Sequence, residues 1–202
     1  MRSGGKCMPV QELIRIRESN DTERSVKMLL AVNCAPLLKG SKAANIMTVS
    51  LKEFNIIKRL VRGTGISYYL LKARDDKFII YLYRKEALLR YLNRHDVKAF
   101  LKEYEYDTDS LSSMLVRLSI RCKAFCAGEE FPHEIGAFLE YPVEDIRGFM
   151  INKGEKFLAT GYWKVYHNEK DKLKLFEQFD NERELSVNEV LQGKSIREIC
   201  CI

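Results

Sequence analysis

The chain has 202 residues, of which 46% are hydrophobic and 31% are charged. This composition is typical of a globular protein, and a chain of this length buries a sizeable core in one domain. No uninterrupted apolar stretch approaches the roughly 18 residues that span a bilayer, and six cysteines are too few for a disulfide scaffold. The composition therefore excludes membrane-spanning, fibrous and disulfide-rich proteins.

The positive charge is concentrated in the first half of the chain. Residues 1–100 contain 20 Lys or Arg against 9 Asp or Glu, whereas the remainder contains 14 against 19. Such a distribution indicates either a basic surface for an anionic partner or solvated faces of unlike sign, and we favour the second. The basic side chains that would form a nucleic-acid surface are Lys39, Lys42, Lys52, Lys58, Arg59 and Arg62.

The N-terminal segment predicts where the protein resides. Charged side chains at Arg15, Arg17 and Glu18 interrupt the first apolar residues, so the segment lacks the apolar core of a secretion signal. We therefore expect a cytoplasmic protein with reduced cysteines and no membrane association.

The first three elements follow from helical spacing and capping signals. A helix is predicted from Asp21 to Pro36, where proline stops the pattern. A short extended run at 46–49 follows. A Ser-x-x-Glu capping box at Ser50 then begins a second helix, which ends at Gly63.

A β-hairpin at about residues 66–84 is the strongest strand signal. Two runs rich in aromatic and β-branched residues flank a polar Arg-Asp-Asp-Lys turn. Because both faces of the hairpin are apolar, we place it at the centre of the core, covered by helices. We further predict a strand at 156–166 and helices at 85–92, 96–104, 110–126, 132–141, 143–152, 170–179 and 187–192.

These elements predict the fold class. Helices occur in blocks between the strands instead of alternating with them, which favours an α+β protein with a small, mainly antiparallel sheet built on the central hairpin and helices packed around it. No repeat or linker divides the sequence, so we expect a single domain over residues 1–202. We expect residues 1–20 and 195–202 to be peripheral.

Two segments carry candidate site residues. The loop after the first helix places Cys34, Lys42 and Asn45 close together, and the lysine and loop amides are suited to a phosphate or carboxylate. The alternative is that Cys34 packs inward and the lysine is solvated. Adjacent His133 and Glu134 at a predicted helix start are suited to acid–base chemistry or ligand binding, or alternatively to capping and core contacts.

Further candidates lie on the last predicted strand. Trp163 and Lys164 belong to a run of aromatic residues, and such a face either stacks a ring or simply packs the sheet. We predict no metal site, because the histidines lack metal-ligand spacing, and Cys122 and Cys126 lie on the apolar stripe of a helix. The sequence identifies no cofactor.

Four motifs together resemble a known family. They are Cys-Ala-Pro at 34–36, Phe-Pro-His-Glu-Ile-Gly at 131–136, Tyr-Pro-x-x-Asp-x-x-Gly-Phe at 141–149 and Gly-Tyr-Trp-Lys-Val-Tyr at 161–166. In this order they resemble an uncharacterised family of small proteins from anaerobic Firmicutes, catalogued as a domain of unknown function. The resemblance implies a cytosolic bacterial protein of one domain, with no known activity. The family pattern has a histidine where this chain has Asn33, which weakens a Cys/His pair there.

Three hypotheses of function follow. The first is a protein that binds a small anionic ligand or partner group. The second is a module that binds nucleic acid or an acidic protein through the basic first half. The third is a thiol-dependent enzyme, which requires an exposed Cys34 within hydrogen-bonding reach of His133. The surface predicted for the first hypothesis is formed by Cys34, Lys42, Asn45, His133, Glu134, Trp163 and Lys164.

Overall fold

A computed structural model describes residues 21–125, 128 and 130–200. Within these residues, nine helices accompany a three-stranded antiparallel sheet and a second sheet of two short strands. This arrangement confirms the predicted α+β class. The predicted peripheral segment at residues 1–20 and Cys126 lie outside the described residues.

Both kinds of element are numbered here in chain order. The helices are α1 Thr22–Lys39, α2 Leu51–Leu60, α3 Lys85–Leu92, α4 His95–Glu103, α5 Leu111–Phe125, α6 Ile135–Phe138, α7 Val143–Ile151, α8 Glu169–Leu191 and α9 Ile196–Cys200. The strands are β1 Ala44–Val49, β2 Ser67–Arg74, β3 Lys77–Tyr83, β4 Ala159–Thr160 and β5 Lys164–Val165.

The predicted hairpin is confirmed, and β3 is the central strand of the sheet order β1-β3-β2. Its pairing with β2 starts at Ser67 opposite Tyr83 and contains a register shift between Leu70 and Lys72. The carbonyl of Leu71 at this irregularity accepts a hydrogen bond of 2.7 Å from the Ser119 hydroxyl. Helix α5 therefore covers the irregular part of the edge strand.

The sheet separates two apolar clusters because successive strand side chains point to opposite faces. Ile80 and Leu82 belong to a cluster with α1, α2, α8 and α9, whereas Tyr81 belongs to a cluster with α3 to α7. The segment 195–200, expected at the periphery, contributes the buried side chains of Ile196 and Ile199 to the first cluster.

Proline does not end the first helix where the sequence predicts. Helix α1 continues through Pro36 to Lys39, with a kink at Cys34, where φ is −123° and ψ is 16°. The side chain of Asn45 donates a hydrogen bond of 2.6 Å to the carbonyl of Asn33 beside the kink. The kink changes the helix geometry just before Pro36, a residue that has no N–H to donate to the preceding turn.

The C-terminal helices also differ from their prediction. Helix α8 is one continuous helix instead of two, and Ser186 is buried in its interior instead of capping a helix start. A capping box does occur at Ser195, whose hydroxyl accepts from the amide of Glu198 at 3.3 Å while that carboxylate accepts from the Ser195 amide at 2.8 Å. The box at Ser50 is confirmed.

Two further predicted elements are shorter in the structure. The predicted strand at 156–166 is a pair of two-residue strands, β4 and β5, joined by a tight turn in which the Gly161 amide donates to the Trp163 carbonyl. The predicted helix at 132–141 is limited to the four residues of α6. A left-handed backbone at Glu140, with φ of 58°, directs the chain away from helical geometry there.

Candidate functional site

A cavity of about 490 Å³ lies between α6, α7 and the β4–β5 pair, and we call it the aromatic cavity. Its wall is mainly aromatic and aliphatic, and four further side chains are charged or otherwise strongly polar. The apolar residues are Ile46, Phe131, Ile135, Leu139, Tyr141, Ile146, Phe149 and Trp163, and the polar ones are His133, Asp145, Thr160 and Lys164.

Asp145 in the first turn of α7 fixes the position of β5. Its carboxylate is buried and accepts three hydrogen bonds, from the indole N–H of Trp163 at 2.8 Å and from the amides of Tyr166 and His167 at 2.8 and 3.0 Å. The indole also stacks on Tyr141, with ring centres 4.9 Å apart. The Trp163 ring is therefore held by a hydrogen bond and by a stacking contact.

Two glycines of the family-like motifs permit this close packing. A Cβ at Gly148 would lie 2.5 Å from Cγ of Tyr166, and a Cβ at Gly161 would lie 2.4 Å from Cδ2 of Phe176. Both distances are far below van der Waals contact. Only glycine leaves room for these rings, which explains the glycine in each motif.

Lys164 is the cation of the aromatic cavity. Its ammonium donates a hydrogen bond of 2.6 Å to the carbonyl of Gly154 and lies 5.8 and 5.0 Å from the ring centres of Phe149 and Phe157. Within the described part of the chain, no Asp or Glu forms an ion pair with it. An ammonium has three protons, so two remain for other acceptors.

His133 and Glu134 are adjacent in sequence but have different environments. The His133 ring contacts the rings of Phe131 and Phe149 at 5.2 and 5.5 Å and lines the aromatic cavity. Glu134 is fully buried elsewhere, where one carboxylate oxygen accepts from Arg121 at 2.8 Å and from Tyr106 at 3.3 Å. Glu134 thus has a structural ion pair and does not line the cavity.

Cys34 is a core residue. It is 1% exposed, and its thiol donates to the Met47 sulfur at 3.2 Å and accepts from the Asn45 amide at 3.2 Å. Burial raises the pKa of the thiol to about 11, and the Asn45 hydrogen bond and the charge of Lys42 lower it only in part. Cys34 therefore lacks the exposure that the thiol-enzyme hypothesis requires.

Lys42 and Asn45 support the aromatic cavity from outside and do not line it. The Lys42 ammonium is buried and lies 5.5 Å from the Tyr141 ring centre, on a ring that also stacks on Trp163. Burial lowers the pKa of Lys42 to about 8, against the opposing charge of Glu140. Ile46, the residue after Asn45 in β1, is part of the cavity wall.

The structure thus brings together only some of the candidate site residues. His133, Trp163 and Lys164 share the aromatic cavity, whereas Cys34, Lys42, Asn45 and Glu134 have packing or hydrogen-bonding roles around it. Sequence reasoning missed Tyr141, Asp145 and Phe149 as site residues. Their motif at 141–149 was visible, but only the fold reveals that it packs against the motif at 161–166.

Two other features are absent among the described residues, a metal-binding cluster and a membrane-spanning helix. No group of three or more His, Cys, Asp or Glu among them is placed to hold a metal ion. None of the helices built from them has the length and apolar character needed to cross a membrane.

Comparisons with known proteins place the chain in a family. No curated protein and no solved structure matches it. A family model described as "Protein of unknown function (DUF3793)" matches residues 30–200, which include every residue of the aromatic cavity. The chain therefore belongs to this family of unknown function, as the resemblance of its motifs predicts.

Proposed function

We propose that the protein binds a small ligand with an apolar, ring-containing body and one anionic group in the aromatic cavity. The observation that carries this proposal is an aromatic and aliphatic wall that includes one lysine without a carboxylate partner among the described residues. Small-molecule sites are concave, mostly apolar and roughly 300–1,000 Å³ in volume. A cavity of about 490 Å³ falls within that range.

The polar groups of the cavity favour an anion over a neutral ligand. Lys164 retains two donor protons after its bond to the Gly154 carbonyl. Asp145 also faces the cavity, but its two carboxylate oxygens already accept three hydrogen bonds. The bound donors offset part of its negative charge, so the lysine remains the group that selects the ligand's charge.

The environment of Cys34 favours binding over thiol chemistry. A nucleophilic cysteine needs exposure and a lowered pKa. Cys34 has neither, since its thiol is buried against Met47 and its pKa is raised to about 11. We therefore propose a binding protein without a covalent step at this residue.

A titration with anilinonaphthalene sulfonate tests this proposal, because the probe has an aromatic body and one anionic group. We expect saturable binding, followed by probe fluorescence, with a stoichiometry of one. Lys164→Gln should weaken the affinity by roughly tenfold, the value of one charge-assisted hydrogen bond. The exposed Lys170 provides a matched control, because Lys170→Gln removes the same charge from the start of α8.

A neutral probe separates the apolar and ionic contributions. The uncharged parent compound should bind wild type and Lys164→Gln equally, because it lacks the group that contacts the ammonium. Absence of saturable binding to a folded wild-type protein would refute the proposal. Equal affinities of Lys164→Gln and Lys170→Gln for the sulfonate would refute its ionic part.

A further inference from the structure

A second concave surface, which we call the basic groove, lies where α2 ends and β2 begins. Its volume is about 900 Å³, and it shares no residue with the aromatic cavity. Three cations from the end of α2 and two tyrosines from the sheet contribute to its wall. These residues are Lys58, Arg59, Arg62, Tyr68 and Tyr83.

Among the described residues, few carboxylates lie near the cations of the basic groove, and none of the residues lining it is Asp or Glu. Arg59 lies 3.6 Å from Glu23, but its side chain is 69% exposed and the same carboxylate contacts Lys27 at 3.1 Å. An exposed and shared ion pair of this kind contributes little and yields to a stronger anion.

A further cation lies beside the turn after α2. Gly63 and Gly65 have φ angles of 77° and 74°, a left-handed geometry that glycine adopts without strain. The guanidinium carbon of Arg197 in α9 lies 3.9 Å from the point where a Cβ at Gly63 would stand. Helix α9, which is far from α2 in sequence, thus places a cation next to a glycine that lines the groove.

An exposed aromatic ring stands beside these cations. Tyr68 on the edge strand β2 is 43% exposed, and its ring meets the ring of Phe54 edge-on at 5.5 Å. The Lys58 ammonium lies 5.0 Å from the centre of the same Phe54 ring. The partly exposed Tyr68 ring and the Lys58 ammonium therefore both contact the same Phe54 ring, which keeps them close to each other.

We propose that the basic groove binds single-stranded nucleic acid, with Lys58, Arg59 and Arg62 contacting phosphates and Tyr68 stacking on a base. Guanidinium groups bind phosphate oxygens through two parallel hydrogen bonds. A ring among cations is the combination that binds single strands, because unpaired bases offer a face for stacking. The bases of a duplex are stacked on one another and have no free face for Tyr68. An acidic peptide would contact the cations but would have no base to stack on the tyrosine.

Fluorescence anisotropy with a labelled twelve-nucleotide oligothymidine tests this proposal on the full chain. We expect binding whose affinity falls with added salt, with a logarithmic slope of about −2 for three phosphate contacts to a single strand. The double variant Arg59→Gln/Arg62→Gln should reduce the affinity at least tenfold. Arg90→Gln/Lys102→Gln is the matched control, because both side chains are exposed and lie outside the groove.

The tyrosine variant distinguishes a nucleic acid from other polyanions. Tyr68→Leu keeps an apolar contact for Phe54 and should weaken oligothymidine binding roughly fivefold, the lower range for loss of one stacked base. The variant should leave the affinity for polyglutamate, calculated from its competition with the labelled strand, unchanged. Absence of binding at low salt, an equal loss in the control double variant, or displacement by polyglutamate or duplex DNA as effective as by unlabelled oligothymidine would each overturn the proposal.

Discussion

Lys42 is a cation that the fold buries without a full ion pair. Its ammonium lies over the Tyr141 ring, and burial lowers its pKa from 10.5 to about 8. Below pH 8 the lysine is charged in the folded and unfolded states, and the folded state bears the cost of burying that charge. The residue therefore stabilises the wall of the aromatic cavity less at neutral pH than in alkaline solution.

Because the pKa of Lys42 is lowered in the folded protein, we expect its contribution to stability to depend on pH. Between about pH 8 and 10.5 the unfolded chain holds the Lys42 proton and the folded chain has released it, so the free energy of unfolding rises with pH in that window. Relative to Lys42→Met, wild type should gain about 3 kcal/mol across the window. Urea unfolding of both proteins from pH 7 to pH 11 measures the difference, and a constant difference would contradict the assignment.

Cys34 allows a second test at the scale of one residue. Its burial and raised pKa predict that iodoacetamide at pH 8 does not modify it in the folded protein and does so in urea. Peptide mapping by mass spectrometry reads the result directly. Rapid modification of Cys34 in the folded protein would show an accessible thiolate and would revive the thiol-enzyme hypothesis.

The sequence correctly predicts those helices and strands whose start, end or turn is marked by neighbouring residues in the chain. The hairpin at 66–84 follows from two runs of aromatic and β-branched residues around a polar turn, and the helix that Ser50 caps follows from a capping box. Helix α1 passes through Pro36 with a kink at Cys34, and Asn45, from the next strand, donates a hydrogen bond to the Asn33 carbonyl beside that kink. The continuity of α8 through Ser186 likewise depends on burial against other elements.

The aromatic cavity is less predictable from sequence than the elements that form it. Trp163, Lys164 and His133 were identified as residue types suited to binding, but their meeting requires α7 to pack on β5. That contact depends on Asp145, whose three acceptor bonds involve residues about twenty positions away. No local pattern contains such a contact.

Because β5 packs closely on α7, we expect a single added methyl group at this contact to destabilise the protein. Gly148→Ala places a methyl group 2.5 Å from Cγ of Tyr166, close to the backbone, where the ring cannot move aside. We expect a loss of about 2 kcal/mol in the free energy of unfolding, typical of overpacking. Urea unfolding measures this loss.

A double variant identifies the cause of that loss. In the Tyr166→Gly background, Gly148→Ala should cost less than half as much, because Cγ and Cβ of Tyr166, which lie 2.5 and 2.6 Å from the added methyl group, are both absent. The same cost in both backgrounds would contradict the proposed contact and would point to a backbone effect at position 148.

At the scale of the whole molecule, the sheet lies between two clusters that serve different surfaces. The cluster of α3 to α7 adjoins the aromatic cavity, and the cluster that includes α2 and α9 adjoins the basic groove. The excess of positive charge in the first half of the sequence is thereby explained in part, because Lys58, Arg59 and Arg62 gather at one groove. Lys39 instead pairs with Glu189, and Lys42 is buried.

The proposed occupant of the aromatic cavity is an apolar anion. Trp163 is the chain's one tryptophan, so a proton–nitrogen correlation spectrum contains a single indole N–H resonance, from the group that donates to Asp145. Addition of anilinonaphthalene sulfonate should shift this resonance in wild type to saturation, and at higher probe concentrations in Lys164→Gln. An indole resonance that stays fixed while the probe shifts amides elsewhere would contradict the claim.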